Sequence, residues 1–354
     1  MNNPMLDKIV NAVLYEGYIL YPYRPSVKNR QRWTFGGVFP ESYSTANHGA
    51  EPFAAQTQVL IEGSAEAILN VQIRFLHLTD RIVGSIDPPL AEWPKTGEAS
   101  FKSVEFLHVA SQQYQSWQEA AEREVVAPGI KLSDLLKRSR MQDFEFSGGR
   151  EVQPLAETDG RIAGVLVRLQ QSICGQIELS AEELSTGLFK LTCRTTNRTI
   201  LENPQTCDRS NAQMHSMAST HAILNLEGAE FISSIDPPEK WKAFAGQCNN
   251  IGCFPVLVGA APRRDTMLCS PIILYDYPQI APESAGDLFD GGEIDEILTL
   301  RILTLSDEEK QAVANVDERA RVMLERTHAL ELADVASMHG AMKSLRPLHD
   351  GGAS

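Results

Sequence analysis

The residues best equipped for chemistry in this 354-residue chain lie between 263 and 320. Arg263, Arg264 and Asp265 open the stretch, and APESAGDLFDGGEIDEIL follows with Glu283, Asp287, Asp290, Glu293, Asp295 and Glu296. From 281 to 320 there are eleven acids against three bases, so this part of the surface is strongly negative. Clustered carboxylates can hold Ca²⁺ or Mg²⁺, work as an acid–base pair, or dock a basic partner. The EF-hand order is missing. Three readings stay open: a metal or catalytic site, a docking surface, and a plain solvated loop. As an enzyme acting on a small anionic substrate, the chain would use Arg264 to hold the anion. Asp265, Glu283 or Asp295 would then supply the acid–base step.

A second block, YEGYILYPYRPSVKNRQRWTFGGVFP, has the opposite charge. Tyr15, Tyr18, Tyr21 and Tyr23 precede Arg24, Lys28, Arg30, Arg32 and Trp33, and no acid falls between 24 and 32. Aromatic rings interleaved with planar cations can stack on a nucleic acid or form a flat face for a protein partner. The net charge of the chain is −14, which repels phosphate backbones and disfavours nucleic acid.

Cysteine and histidine offer less. All six cysteines lie between 174 and 269, with Cys248 and Cys253 spaced C-x4-C and Cys269 sixteen residues on. No fourth, correctly spaced zinc ligand accompanies them. His215 and His221 are six apart, which on a helix opposes them and on a strand separates them by about 20 Å. There is no HExxH, no GxSxG elbow, no GxxxxGK[ST] phosphate loop and no GxGxxG fingerprint. The commonest serine hydrolases, nucleotide triphosphatases and dinucleotide enzymes drop out, and the residues point to no catalytic residue, metal or cofactor.

The elements that must position these blocks read as β-rich. Leu6, Ile9, Val10, Val13 and Leu14 form one face of an opening helix. From 55 to 90 the pattern has period two, with Leu69, Val71, Ile73 and Phe75 on one side of a strand that ends in DRIVGSIDPPLAEW, 80–93. His77 continues that apolar face and is expected to be a bonded core histidine. Residues 101–141 read as helical in two pieces, with WQEAAEREV (117–125) rich in helix formers and APG breaking it before LSDLLKRSRM resumes. RIAGVLVRLQ, CGQIELS and GLFKLTCRTTNRT read as consecutive strands, with Cys193 a small buried hydrophobe. PVLVG (255–259) and PIILYDYP (271–278) read as two buried strands joined by AAPRRDTMLCS. Ser306 and Glu309 form a capping box ahead of an amphipathic tail. The five residues SIDPP occur at Ser85 and again at Ser234, as an internal duplication or as two equivalent strand exits.

The expected fold is therefore α+β, β-rich with antiparallel or mixed sheets, an N-terminal helix and a helical C-terminal tail. Its expected units are 1–145, 146–305 and 306–354. The N-terminus lacks the order of a signal peptide, no apolar run approaches the roughly 20 residues that span a bilayer, and reduced thiols are the default, so a cytoplasmic protein is expected.

The aromatic–basic block, together with RDTMLCSPIILYDYPQIAPESAGDLFDGGEIDEILTLRILTLSDEEK, resembles uncharacterised bacterial proteins encoded beside high-affinity, oxygen-tolerant nickel–iron hydrogenases of the actinobacterial type. The likeness extends over most of the chain. It implies an accessory role in assembling or maturing that enzyme, through contacts with a hydrogenase subunit or a maturation protein, and it transfers no catalytic residue. The family pattern has a non-thiol where Cys269 stands and no fixed pair at 248 and 253, which weighs against thiol-based metal delivery. The expected contact residues are Tyr23, Arg24, Lys28, Arg30, Arg32, Trp33, Arg264, Asp265, Glu283, Asp287, Glu293, Asp295 and Glu296. Self-association of the chain stays open.

Overall fold

In the computed structural model, residues 4–14 and 36–278 are described, together with Arg321 and Glu325. The period-two stretch expected over 55–90 is one continuous strand, β1 (Ala54–Leu90), which is the spine of the fold. Leu69, Val71, Ile73 and Phe75 are buried along one face, as the alternation predicts. A strand this long cannot keep one neighbour, because right-handed twist carries its ends away from any single partner. It exchanges partners instead.

On one edge, Ala54–Glu62 pairs with β10 (Leu188–Asn197), and Ile68–Arg81 then pairs with β5 (Trp117–Lys131). On the other edge, Ile61–His77 pairs with β11 (Met217–Phe231), and Thr79–Leu90 follows with β8 (Ile162–Gln170). Short β2 (Lys102–Val104) adds to Val83–Ser85, while β3 (Phe106–Val109) and β4 (Gln112–Gln115) form a separate hairpin. Beyond β10 come β9 (Ile173–Ser185) and β6 (Arg140–Phe146); β7 (Gly149–Ala156) joins β8. Beyond β11 come β13 (Thr266–Ser270) and β12 (Phe254–Leu257). All the described ladders are antiparallel, so the chain is β-rich with an antiparallel sheet. That sheet joins strands from both sides of the expected boundary at 145/146. Apart from Arg321 and Glu325, the expected helical tail lies outside the described residues.

Where one edge of β1 passes from β10 to β5, its ladder to β11 on the other edge has a bulge between Gly63 and Ile68. Gly63 has φ +154°, and a Cβ there would lie 2.6 Å from that of Ala229 on β11, so only glycine lets the two backbones approach this closely. Two identical tetrads, Ala67–Asn70 and Ala222–Asn225, meet across the β1–β11 ladder with Asn70 directly opposite Asn225. The local two-fold relation does not extend to the SIDPP copies. The first ends β1 beside β8; the second follows β11 as a turn in which Ser233 Oγ accepts from the Asp236 N–H at 2.9 Å.

The curled sheet closes over its own inner face, where Phe75 meets the rings of Phe144 and Phe146 at 6.1 and 5.6 Å. Helix α1 (Pro4–Leu14) covers the outside of β11–β13, packing Ile9, Val10 and Val13 on Ile223, Val256, Val258 and Leu268. Short α2 (Glu41–Ala46), α3 (Leu132–Leu135) and α4 (Arg209–Met214) fill connections. Where β5, β1 and β8 run side by side, Glu119 bridges Arg81 and Arg168 at 2.9 Å each. No helix among the described residues is long and apolar enough to cross a membrane.

Two sequence expectations are corrected. Most of 101–141 is strand, not helix: β2 to β5 run through it, only Leu132–Leu135 is helical, and the nine ladder pairs that WQEAAEREV makes to β1 outweigh its helix propensity. PIILYDYP is not a strand either. The second strand is Thr266–Ser270, inside the stretch expected to join the two.

Candidate functional site

Strand β12 is the last of its sheet among the described strands, and its outer edge is covered in a specific way. Pro255 has no N–H to offer a further strand. The Leu257 N–H donates to Asp276 Oδ1 at 2.8 Å, and its carbonyl accepts from Tyr277 N at 2.7 Å. These bonds pin the segment 271–278 alongside the sheet. Ser233 Oγ donates to Asp276 Oδ2 at 2.5 Å and steadies the same carboxylate. Ile272 and Leu274 turn inward onto the cluster beneath α1. Ile273 and Tyr275 face out, 75% and 84% exposed. Phe254, which opens the edge strand, and Ile251 before it are also exposed.

The turn between β12 and β13 carries Arg263, Arg264 and Asp265. Its backbone is fixed, because the Phe231 N–H donates to the Arg264 carbonyl at 2.7 Å and the Leu226 N–H to that of Asp265 at 2.8 Å. Arg264 pairs with Glu230, and Arg263 with Asp265, which also accepts from Thr266 Oγ1 at 3.1 Å. Tyr277 donates its hydroxyl to the Arg263 carbonyl at 3.0 Å, and burial with the neighbouring Asp276 raises its pKa. Arg264 and Asp265 thus sit on one turn with different ionic partners. The other candidates, Tyr23, Arg24, Lys28, Arg30, Arg32, Trp33, Glu283, Asp287, Glu293, Asp295 and Glu296, lie outside the described residues. So do Ser306 and the expected tail stripe.

A second place gathers reactive atom types inside the sheet. Thr57, Cys193, Thr195, Cys253 and Cys269 line a cavity of about 10 Å³, room for no more than one water molecule. Cys253 Sγ lies 2.8 Å from Thr57 Oγ1 and donates to the Gln56 carbonyl at 3.0 Å. Burial pushes the Cys193 thiol up to about 12 and raises those of Cys253 and Cys269 as well. Thiols held protonated in this way are poor nucleophiles and poor ligands. His221 adds only its strand to this lining. It stands opposite Arg74, whose neighbours Ile73 and Phe75 face the core, so its ring lies on the other side of the sheet from Cys269, the partner of Ala222. Cys248 packs elsewhere, against Trp241 and Phe244. Among the described residues, no group of three or more His, Cys, Asp or Glu is placed to hold a metal ion.

Sequence reasoning missed Ile273 and Tyr275 as surface residues, because a run of apolar letters between prolines reads as a buried strand. The signal available was Pro271, which closes the preceding strand, and Asp276, whose carboxylate has to find donors. In comparisons with known proteins, no family model and no curated relative matches the chain.

Proposed function

We propose that this chain is a non-catalytic accessory or assembly protein for a nickel–iron hydrogenase, acting through protein–protein contacts made by the face at 263–278. The observation that carries the contact reading is the pair Ile273 and Tyr275, held outward on a segment anchored at both its alternate side chains and its backbone. Large apolar and aromatic groups presented rigidly beside a charged rim have the anatomy of an interface hot spot, where little ordering entropy remains to be lost on binding. Arg264 and Asp265 supply that rim. The hydrogenase setting rests on the resemblance of the two polar blocks. The enzymatic alternative asks Arg264 to hold a substrate anion, a place that the Glu230 carboxylate takes.

The partner is a hydrogenase subunit or a maturation protein. The test is co-purification of the hydrogenase large subunit with the wild-type chain and with an Ile273→Asp/Tyr275→Ala variant, in a host that makes the enzyme. Recovery with the wild type and at least about tenfold less with the variant is expected, the loss typical of a hot-spot pair. Equal recovery removes this face from the account. Hydrogen uptake and large-subunit processing that stay unchanged after deletion of the gene remove the hydrogenase setting.

A further inference from the structure

Strand β5 is laddered to β1 and β6 to β9, yet among the described strands no ladder joins β5 to β6. The sheet curls until these two edges face each other across a seam closed by side chains. Gln142 Nε2 of β6 donates to the Val126 carbonyl of β5 at 3.1 Å. The Arg123 guanidinium of β5 lies over the Phe146 ring of β6, 5.2 Å from its centroid. Arg123 is aimed by two acceptors: its Nη2 donates to Gln170 Oε1 at 2.9 Å and its Nε to His77 Nδ1 at 3.3 Å.

We propose that His77 is an acid-sensitive latch on this seam, whose protonation expels Arg123 and parts β5 from β6. The geometry fixes one tautomer. His77 Nε2 lies 2.7 Å from the Gln171 carbonyl, which only accepts, so Nε2 carries the hydrogen. A guanidinium only donates, so Nδ1 is the bare nitrogen. The single place where a second proton can bind is therefore the place that Arg123 occupies. Once it binds, N–H faces N–H and cation faces cation in a site where the ring is 0% exposed. Arg123 is only half-buried and can leave for solvent; His77 cannot.

Among the described residues, two ionisable groups act on the ring, Arg123 from β5 and His215 at the end of α4, and both oppose its charge. Gln170 and Gln171 at the end of β8, Thr79 of β1 and Phe146 of β6 are neutral. Burial is the larger cause and brings the His77 pKa down to about 4. The seam therefore stays shut at neutral pH and loosens as acid titrates the folded ring.

Hydrogen–deuterium exchange on the full chain, corrected for intrinsic rates at each pH from 7 to 4, tests the latch. Protection of 140–146 is expected to fall about tenfold or more in wild type while β10 and β11 keep theirs. His77→Gln can accept from Arg123 and donate to Gln171, and it should hold its protection throughout. Arg123→Leu should loosen 140–146 already at pH 7. The latch is overturned if His77→Gln opens in parallel with wild type, if His215→Gln abolishes the opening instead, or if Arg123→Leu leaves 140–146 protected. It is equally overturned if wild type keeps full protection to pH 4 or loses β11 in step with β6.

Discussion

His221 shows how far burial alone sets a residue's chemistry. Its Nδ1 donates to the Ser219 carbonyl at 2.9 Å, and burial holds its pKa at about 4, below the ordinary histidine value. The unfolded chain takes up a proton near pH 6.5 and the folded one does not, so stability is full above that pH and falls as pH drops towards 4. Urea unfolding of wild type should lose about 3 kcal/mol through this group over that window, and His221→Gln should flatten that part of the slope. The cysteines divide by the same rule. At pH 8 a thiol reagent should reach the partly exposed Cys174, Cys207 and Cys248 in the folded protein, and Cys193, Cys253 and Cys269 only after denaturation. Rapid labelling of all six without unfolding would show the Thr57–Cys253 cavity to be open.

At the scale of elements, the ladders decide what local propensity does not. The stretch 117–125 is built of helix formers, and an isolated peptide of those residues should show helical circular dichroism in a helix-favouring cosolvent although the protein holds it as β5. The bond network along β1 explains why. Each residue of the strand gains a ladder partner and a packed side chain at once, whereas a helix there would leave one edge of β1 bare and its backbone groups unmet. Glu119 supports the same junction. Its replacement by Gln leaves Arg81 and Arg168 sharing a neutral partner, at an expected cost of about 2 kcal/mol in chemical denaturation. The figure stays under that of a fully buried pair because Glu119 keeps some contact with water. At the bulge, Gly63→Val should cost about 1–3 kcal/mol in the same assay, because the added Cβ meets Ala229 and one strand must shift. A Gly63→Val protein as stable as wild type would show that β1 and β11 do not need this close approach.

Across the whole molecule, β1 supplies an edge to strands from both halves of the chain. A fragment beginning at 146 lacks the strand that β8, β10 and β11 pair with, and should remain unfolded by circular dichroism, while the full chain unfolds in one transition. Independent folding of that fragment would support the division at 145/146. The surface variant Ile273→Asp/Tyr275→Ala should move the melting temperature little, since both side chains are exposed, which separates lost binding from lost folding.

Sequence by itself determined the local periods: the helix face of Ile9, Val10 and Val13, the buried face of Leu69 to Phe75, the strands at 162–170 and 188–197, and a bonded core role for His77. Those features depend on residues a few positions apart, and a few positions are what a pattern can read. Tertiary structure alone decided that 117–125 would be strand, that β1 would exchange four long partners, and that Ile272 and Leu274 would be covered while Ile273 and Tyr275 would not. Each of these turns on a neighbour tens to more than a hundred residues away, and the free energy of a ladder or of a buried face belongs to both partners, so neither stretch encodes it alone.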